Sequence, residues 1–384
     1  MRIFRCDHCG NALYFENVTC LRCGSLLAFL ADRMDLCAIE PDGDVDLGLY
    51  RRKSGPSPRG RQVPLWRLCS NHAPVQSCNF AVPAHDPNPL CVSCRLTRIL
   101  PDLSVPGNVQ RWCTIEAAKR RLFFNLARLG LVHTDPPAGA AQGPIFEFKA
   151  DQPGDKVVTG HFNGVITLNV SEADDEERLR HRVALHETYR TLLGHLRHES
   201  GHYYWDRLID RTGRHEDFRR FFGDERADYG LALQQHYNNG APAGWQDHWV
   251  SAYAASHPWE DWAETWAHYL HMVDLLETAA SFRTRMVVPG PGPGAQAAEA
   301  VDDPFAGGMD DFGELVSQWR PLTLLVNSLN RSLGHEDAYP FALSTGALDK
   351  LRFVHDAIHR HPGAALDEMA LAAGGSDSTF VGST

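Results

Sequence analysis

The chain has 384 residues, 43% of them hydrophobic, enough for two or three domains around a sizeable buried core. Its 37 basic and 48 acidic residues leave a formal charge of −11, which counts against a dedicated nucleic-acid surface. The opening MRIFRCDHCG has no apolar signal region, and no later run approaches the roughly eighteen apolar residues of a membrane span, so a soluble cytoplasmic protein without a membrane partner is expected.

Ten cysteines in a reducing compartment point to metal rather than disulfides. Cys6-x2-Cys9 and Cys20-x2-Cys23 are two knuckles, each followed by a glycine (Gly10, Gly24) that lets the backbone turn around an ion. Four thiolates in this spacing suit a tetrahedral structural zinc, and a zinc ribbon is expected over residues 1–40. An acidic run, DGDVDLG, and a basic one, RRKSGPSPRGR, then read as linker. Cys69, Cys78, Cys91 and Cys94 form a second group, expected to hold a second structural zinc within residues 41–110. His72 and His85 lie near enough to replace one of these ligands. Cys37 and Cys113 are left over and are expected to be buried as small apolar residues.

A larger domain is expected over residues 111–361. A helical pattern from Ile115 stops at Gly130, and β-type stretches follow at 145–149 and 161–170. Helical periodicity resumes from about 174 to 209, with a break suggested at Gly194, and again over 215–280 and 311–360. Composition makes 289–309 a flexible insertion and 362–384 a disordered tail. The fold class is α+β: zinc ribbon and knuckle first, then a mostly helical domain with a small sheet.

Within that domain, residues 195–209 read HLRHESGHYYWDRLI. On a helix, His198 and His202 are four residues apart and reach one ion together. Glu199 flanks the same face, where it takes a proton from zinc-bound water instead of ligating the metal. Leu192, Leu193, Leu196, Trp205 and Leu208 are available to bury the helix. Gly201 costs about 1 kcal/mol relative to alanine in mid-helix, which predicts close packing against another backbone. With twenty histidines in the chain the spacing alone does not define a site, and a third ligand is required. Glu225, with Asp228 beside it, is the nearer candidate. Farther on, Glu260 and Glu264 are a second i, i+4 pair opening a helix at Pro258. There one carboxylate can ligate while the other accepts the spare ring N–H of a ligating histidine. His195, His257, His268 and His271 are read as structural or supporting.

Tyr253, Glu260 and Ala263-Glu264 reproduce a spacing that resembles the gluzincins, and within them the lethal-factor-like metallopeptidases. That resemblance implies Glu260 as third ligand, Glu264 behind the ligands and Tyr253 as a transition-state hydrogen-bond donor. His257 is a further oxyanion-donor candidate. RHESGHYYWDRL, FGDERADY, SHPWEDWAETWAHYLH and VNSLNRSLGHEDAYPF, together with the ribbon and the Cys91-x2-Cys94-Arg-Leu knuckle, resemble a bacterial family of zinc-binding metallopeptidases with an N-terminal zinc ribbon. The resemblance spans nearly everything outside 289–309 and the tail. It implies a zincin-like domain, one catalytic and two structural Zn2+ ions, and a peptide or protein substrate that the ribbons can recruit. In enzymes of this architecture an edge strand holds the peptide extended, and Val165–Val170 is the candidate.

Two other classes stay open on sequence. One is a non-enzymatic adaptor that binds protein or nucleic acid through residues 1–110, where 51–61 carry five basic residues, with a degenerate peptidase fold attached. The other is zinc-dependent hydrolysis of a non-peptide amide.

Overall fold

A computed structural model describes residues 1–43, 48–53, 63–72, 77–135, 143–184, 191–287, 299–306 and 311–360. The basic stretch beyond Lys53, most of the 289–309 insertion and the 362–384 tail lie outside the described residues.

The first hairpin pairs β1 (Phe4–Arg5) with β2 (Ala12–Leu13) around the Cys6–Cys9 knuckle. Both knuckles close the same way. Gly10 and Gly24 take φ of 75° and 69°, and each returns its N–H to the carbonyl of the first cysteine at 2.8 Å. A side chain resists that left-handed backbone, which is why glycine follows each pair.

A closed barrel follows, built in order from β3 (Leu26–Leu30), β4 (Asp35–Pro41), β5 (Tyr50–Arg52), β6 (Trp66–Leu68) and β7 (Phe80–Pro83). Strand alternation divides its residues between two cores. Ala28 and Leu30 point inward to Cys37, Ile39 and Trp66, while Leu27 and Phe29 join the main core outside. The boundary expected near residue 40 therefore falls inside β4, and strands on both sides of it form one barrel. Cys37 is fully buried there, and burial pushes its thiol up to about 12, as suits a small apolar residue. Phe29 stacks 4.5 Å from Phe80 and meets Phe15 at 5.1 Å and Phe124 at 5.9 Å, so ribbon, barrel and the first long helix share one aromatic core.

That helix, α1 (Asn108–Arg128), begins ahead of the expected Ile115 and stops as expected before Gly130. Around it a four-stranded sheet has the order β10 (Gly160–Phe162), β11 (Val165–Asn169), β9 (Ile145–Lys149), β8 (Thr97–Ile99). β11 pairs parallel with β9 on one side and antiparallel with β10 on the other, so Val165–Val170 is not the edge expected from sequence. The edge is β10. Asn163 and Gly164, at φ 48° and 80°, form a two-residue turn that folds β10 back on β11. Asn-Gly is a strong hairpin signal, and it divides the single strand expected over 161–170 into two.

The remaining elements are α2 (Asp175–Ala184), α3 (Leu192–Trp205) continuing into one π turn (Asp206–Asp210), α4 (His215–Phe222), α5 (Tyr229–Asn239), α6 (Pro258–Ser281), a short β12–β13 ribbon (Arg285–Met286 with Glu299–Ala300), α7 (Phe312–Ser332) and α8 (Thr345–Arg360). Gly194 does not break a helix. Thr191 caps α3 by accepting the Gly194 N–H at 2.9 Å, which puts Gly194 in the first turn.

α3 and α6 cross at Gly201. A Cβ there would lie 2.9 Å from the Cα of Ala263 and 3.2 Å from the Cβ of Trp266. The close approach expected from a mid-helix glycine is the contact that joins these two helices. Trp262 donates its Nε1–H to the Gly201 carbonyl at 2.8 Å, and Trp266 donates to Ser200 Oγ at 3.1 Å. Both tryptophans are fully buried. Among the described residues, no helix is long and apolar enough to cross a membrane.

Candidate active site

The two cysteine quartets each converge. Cys6, Cys9, Cys20 and Cys23 form one group, with Cys6–Cys23 sulfurs 3.8 Å apart and Cys9–Cys20 3.6 Å apart. Cys69, Cys78, Cys91 and Cys94 form the other, with Cys78–Cys91 at 3.7 Å. Thiolates about 2.3 Å from a tetrahedral zinc stand about 3.8 Å from one another, whereas a disulfide would bring sulfurs to about 2.05 Å. Both quartets therefore have the geometry to hold a metal ion through four cysteine ligands. His72 is not needed as a substitute, because its Nδ1 is engaged by the Cys78 carbonyl at 2.9 Å. His85 is outside the group, and Cys113 lies apart on α1.

The third cluster is His198, His202 and Glu260, all buried, with ligating atoms within 4.8 Å of one another. Two helices build it. α3 supplies the histidines, one turn apart, and the first turn of α6 supplies Glu260, held against α3 by the Gly201 contact. His198 donates Nδ1–H to Glu264 Oε1 at 2.7 Å, and Glu264 Oε2 accepts from Ser251 Oγ at 2.6 Å. That fixes the tautomer and leaves His198 Nε2 with a lone pair 3.0 Å from Glu260 Oε2. His202 Nε2 lies 3.5 Å from Glu260 Oε1. Lone pairs this close, inside the protein, need a cation between them. Burial opposes charge on His198, yet Glu260 and Glu264 outweigh it and raise its pKa well above the ordinary value, so without a metal the cation at Nε2 is a proton, which a metal ligated there displaces. Glu260 Oε2 has no hydrogen-bond partner, and neither has Nδ1 of His202. Ligands about 2.0–2.1 Å from zinc stand about 3.3 Å apart, so the separations fit. Removing the Glu264 carboxylate (Glu264→Ala) is expected to weaken zinc binding at this cluster about 10–100-fold in a competition titration against a chromogenic chelator, with both cysteine quartets unaffected.

Glu199, one residue along α3, lies beside this cluster and is not part of it. Its Oε1 is 3.2 Å from His195 Nε2, and its Oε2 is buried without a partner. His195 in turn places Nδ1 2.5 Å from Glu172 Oε2, and Glu172 Oε1 accepts from Thr159 at 2.5 Å. Burial lowers the His195 pKa, but the two carboxylates outweigh it and raise it to about 9. The resulting cation contributes stability that is complete below about 6.5, the value for an unfolded histidine, and is lost as pH rises through about 9. The stability gap between wild type and His195→Gln, read from urea midpoints, should therefore shrink between pH 7 and pH 10. An unchanged gap would remove the charge from this account.

The cluster sits in the wall of a cavity of about 1310 Å³. Tyr253 lines it, with its ring 6.0 Å from that of His198. Glu225 lines it too but is outside the metal group, because Arg219 holds it with Nε at 2.9 Å. Asp228 caps α5, accepting the Leu231 N–H at 2.8 Å. His257 cannot serve as an oxyanion donor. It caps α6, accepting the Trp259 N–H through Nδ1 and donating Nε2–H to the Ala227 carbonyl, both at 3.1 Å. His268 pairs with the Tyr339 hydroxyl at 2.6 Å, and His271 accepts from Arg197 at 2.5 Å. Four contributors escape a reading of the sequence. Tyr229 donates to Glu260 Oε1 at 2.7 Å, leaving the other oxygen for a metal. Trp259 packs on His202 at 4.2 Å, and Ser251 and Glu172 act as described. Tyr229 closes FGDERADY, a segment whose carboxylates draw attention first.

Fold and clusters together define a protein with a four-cysteine zinc-ribbon module joined to a helical domain that presents a His-His-Glu metal cluster. Residues 108–357 match the family described as "Putative zinc-binding metallo-peptidase", and residues 3–105 match a zinc-ribbon domain. The chain belongs to this metallopeptidase family. It is 41% identical over 359 residues to proteins named as uncharacterized in Mycobacterium tuberculosis (strains H37Rv and CDC 1551) and Mycobacterium bovis, covering 93% of this chain and 95% of each relative. No solved structure matches.

Proposed function

We propose that the protein is a zinc-dependent metallopeptidase. The carrying observation is the convergence of His198 Nε2, His202 Nε2 and a Glu260 oxygen on one point of the cavity wall, with the free Glu199 Oε2 beside it. His198, His202 and Glu260 would hold the ion, with Glu264 and Tyr229 orienting two of them. Bound zinc supplies Lewis acidity, polarising a carbonyl and making water acidic near neutral pH. Glu199 takes the proton of the attacking water and returns it to the leaving amine. Burial raises the Glu199 pKa, but His195 and the neighbouring histidines outweigh burial and hold it below the usual carboxylate range, so the carboxylate is ionised and able to accept a proton. Tyr253 hydrogen-bonds the developing oxyanion. The free edge of β10 aligns the substrate backbone, the role expected of β11 from sequence.

The cavity favours a peptide over a small non-peptide amide, since it exceeds the roughly 300–1,000 Å³ of small-molecule pockets. An intact set of ligands with a free carboxylate also argues against a degenerate peptidase domain serving only as an adaptor. A peptide library incubated with the protein and read by mass spectrometry should show cuts that stop with chelator and return with zinc. Cuts that persist with the chelator present would defeat the proposal.

A further inference from the structure

The same cavity carries information about substrate that rests on the peptidase reading but not on turnover. Its wall includes Val158, Phe162, Tyr237, Trp245 and Phe341. Val158 and Phe162 are 81% and 77% exposed, unusual for such side chains, and they lie in and next to the edge strand β10. Among the described residues lining the cavity there is no lysine or arginine, whereas five glutamates line it: Glu172, Glu199, Glu225, Glu260 and Glu264. Two neighbouring arginines are committed elsewhere. Arg219 holds Glu225, and Arg197 is bound to Asn125, Asp274 and His271.

We infer that the cleft takes an extended peptide segment rich in aliphatic and aromatic residues, uncharged or basic, and cuts it internally. An acidic side chain or a free C-terminal carboxylate entering this wall would lose water and gain no cationic partner beyond the metal centre, since the His195 cation is already held by Glu172 and Glu199. Among the described residues, a free N-terminal amine finds an unengaged carboxylate oxygen outside the metal ligands only at Glu199, beside the metal centre, where the bond to be cut and not a terminus must lie. The two glutamates away from the metal cluster are already engaged, Glu172 by Thr159 and His195, and Glu225 by Arg219. With neither terminus recognised, the backbone pairing offered by β10 and the apolar wall are what remain to hold a substrate.

The test is equilibrium binding to zinc-loaded, full-length Glu199→Gln protein, using short peptides blocked by acetyl and amide groups. A Leu/Phe/Tyr-rich parent should bind. Replacing two central residues with glutamate should weaken it about tenfold or more, as expected for a buried charge left unpaired, while lysine at the same positions should not. Phe162→Ser, at an exposed position where folding is not at stake, should weaken the parent several-fold. Equal or tighter binding of the glutamate peptide, or no binding by any of them, overturns the inference. Selective binding supports it even if the unsubstituted protein leaves the parent intact, an outcome that counts against the peptidase reading alone.

Discussion

Glu199→Gln protein should keep its zinc and lose hydrolysis by about 10²–10⁴-fold, the usual contribution of a positioned general base. Glutamine is nearly isosteric with glutamate, so α3 keeps its packing, and Glu199 lies outside the metal group. What is lost is the proton acceptor. In the native chain one carboxylate oxygen is directed to His195 and the other is buried and unpartnered beside the cluster, and only the second is free to receive a proton. Matched zinc contents with a collapsed rate would assign Glu199 to proton transfer. A variant that turns over normally would remove Glu199 from the mechanism, and one that loses zinc would make it part of the metal's support.

Gly201→Ala should destabilise the protein, although alanine is the better helix former by about 1 kcal/mol. The added methyl would stand 2.9 Å from the backbone of Ala263, and backbone cannot rotate away as a side-chain tip can. Overpacking of this kind costs about 1–3 kcal/mol, so the clash outweighs the propensity gain. The effect should reach the metal centre. If α3 and α6 move apart, His198 and His202 leave Glu260, which comes from α6 within one turn of its start. Denaturant midpoints and zinc affinity should fall together. A more stable variant with unchanged zinc affinity would mean that the helices do not cross as closely as described.

Local spacing made part of this legible in the sequence. Paired Cys-x2-Cys-Gly turns and two i, i+4 pairs depend on backbone geometry within a turn, and the cysteine quartets and the His-His-Glu cluster come together where that geometry puts them. Gly201 gave a tertiary clue for the same reason: its cost inside a helix needed a neighbour to justify it. Other features depended on contacts between distant segments. The barrel crosses the boundary expected at residue 40 because β3 pairs with β7 across more than forty residues, a pairing that no local pattern announces. Tyr229 meets Glu260 only after α5 and α6 are placed. The edge-strand error differs in kind, since Asn163-Gly164 was present to be read as a turn.

On the proposed function, His198, His202 and Glu260 hold a metal ion distinct from those of the two cysteine quartets. Zinc content per chain, measured on the wild-type protein and on the His198→Ala/His202→Ala double variant after equilibration with zinc and desalting, tests it most directly. Three zinc ions are expected in the first and two in the second, with both proteins folded. The same zinc content in both proteins would contradict it.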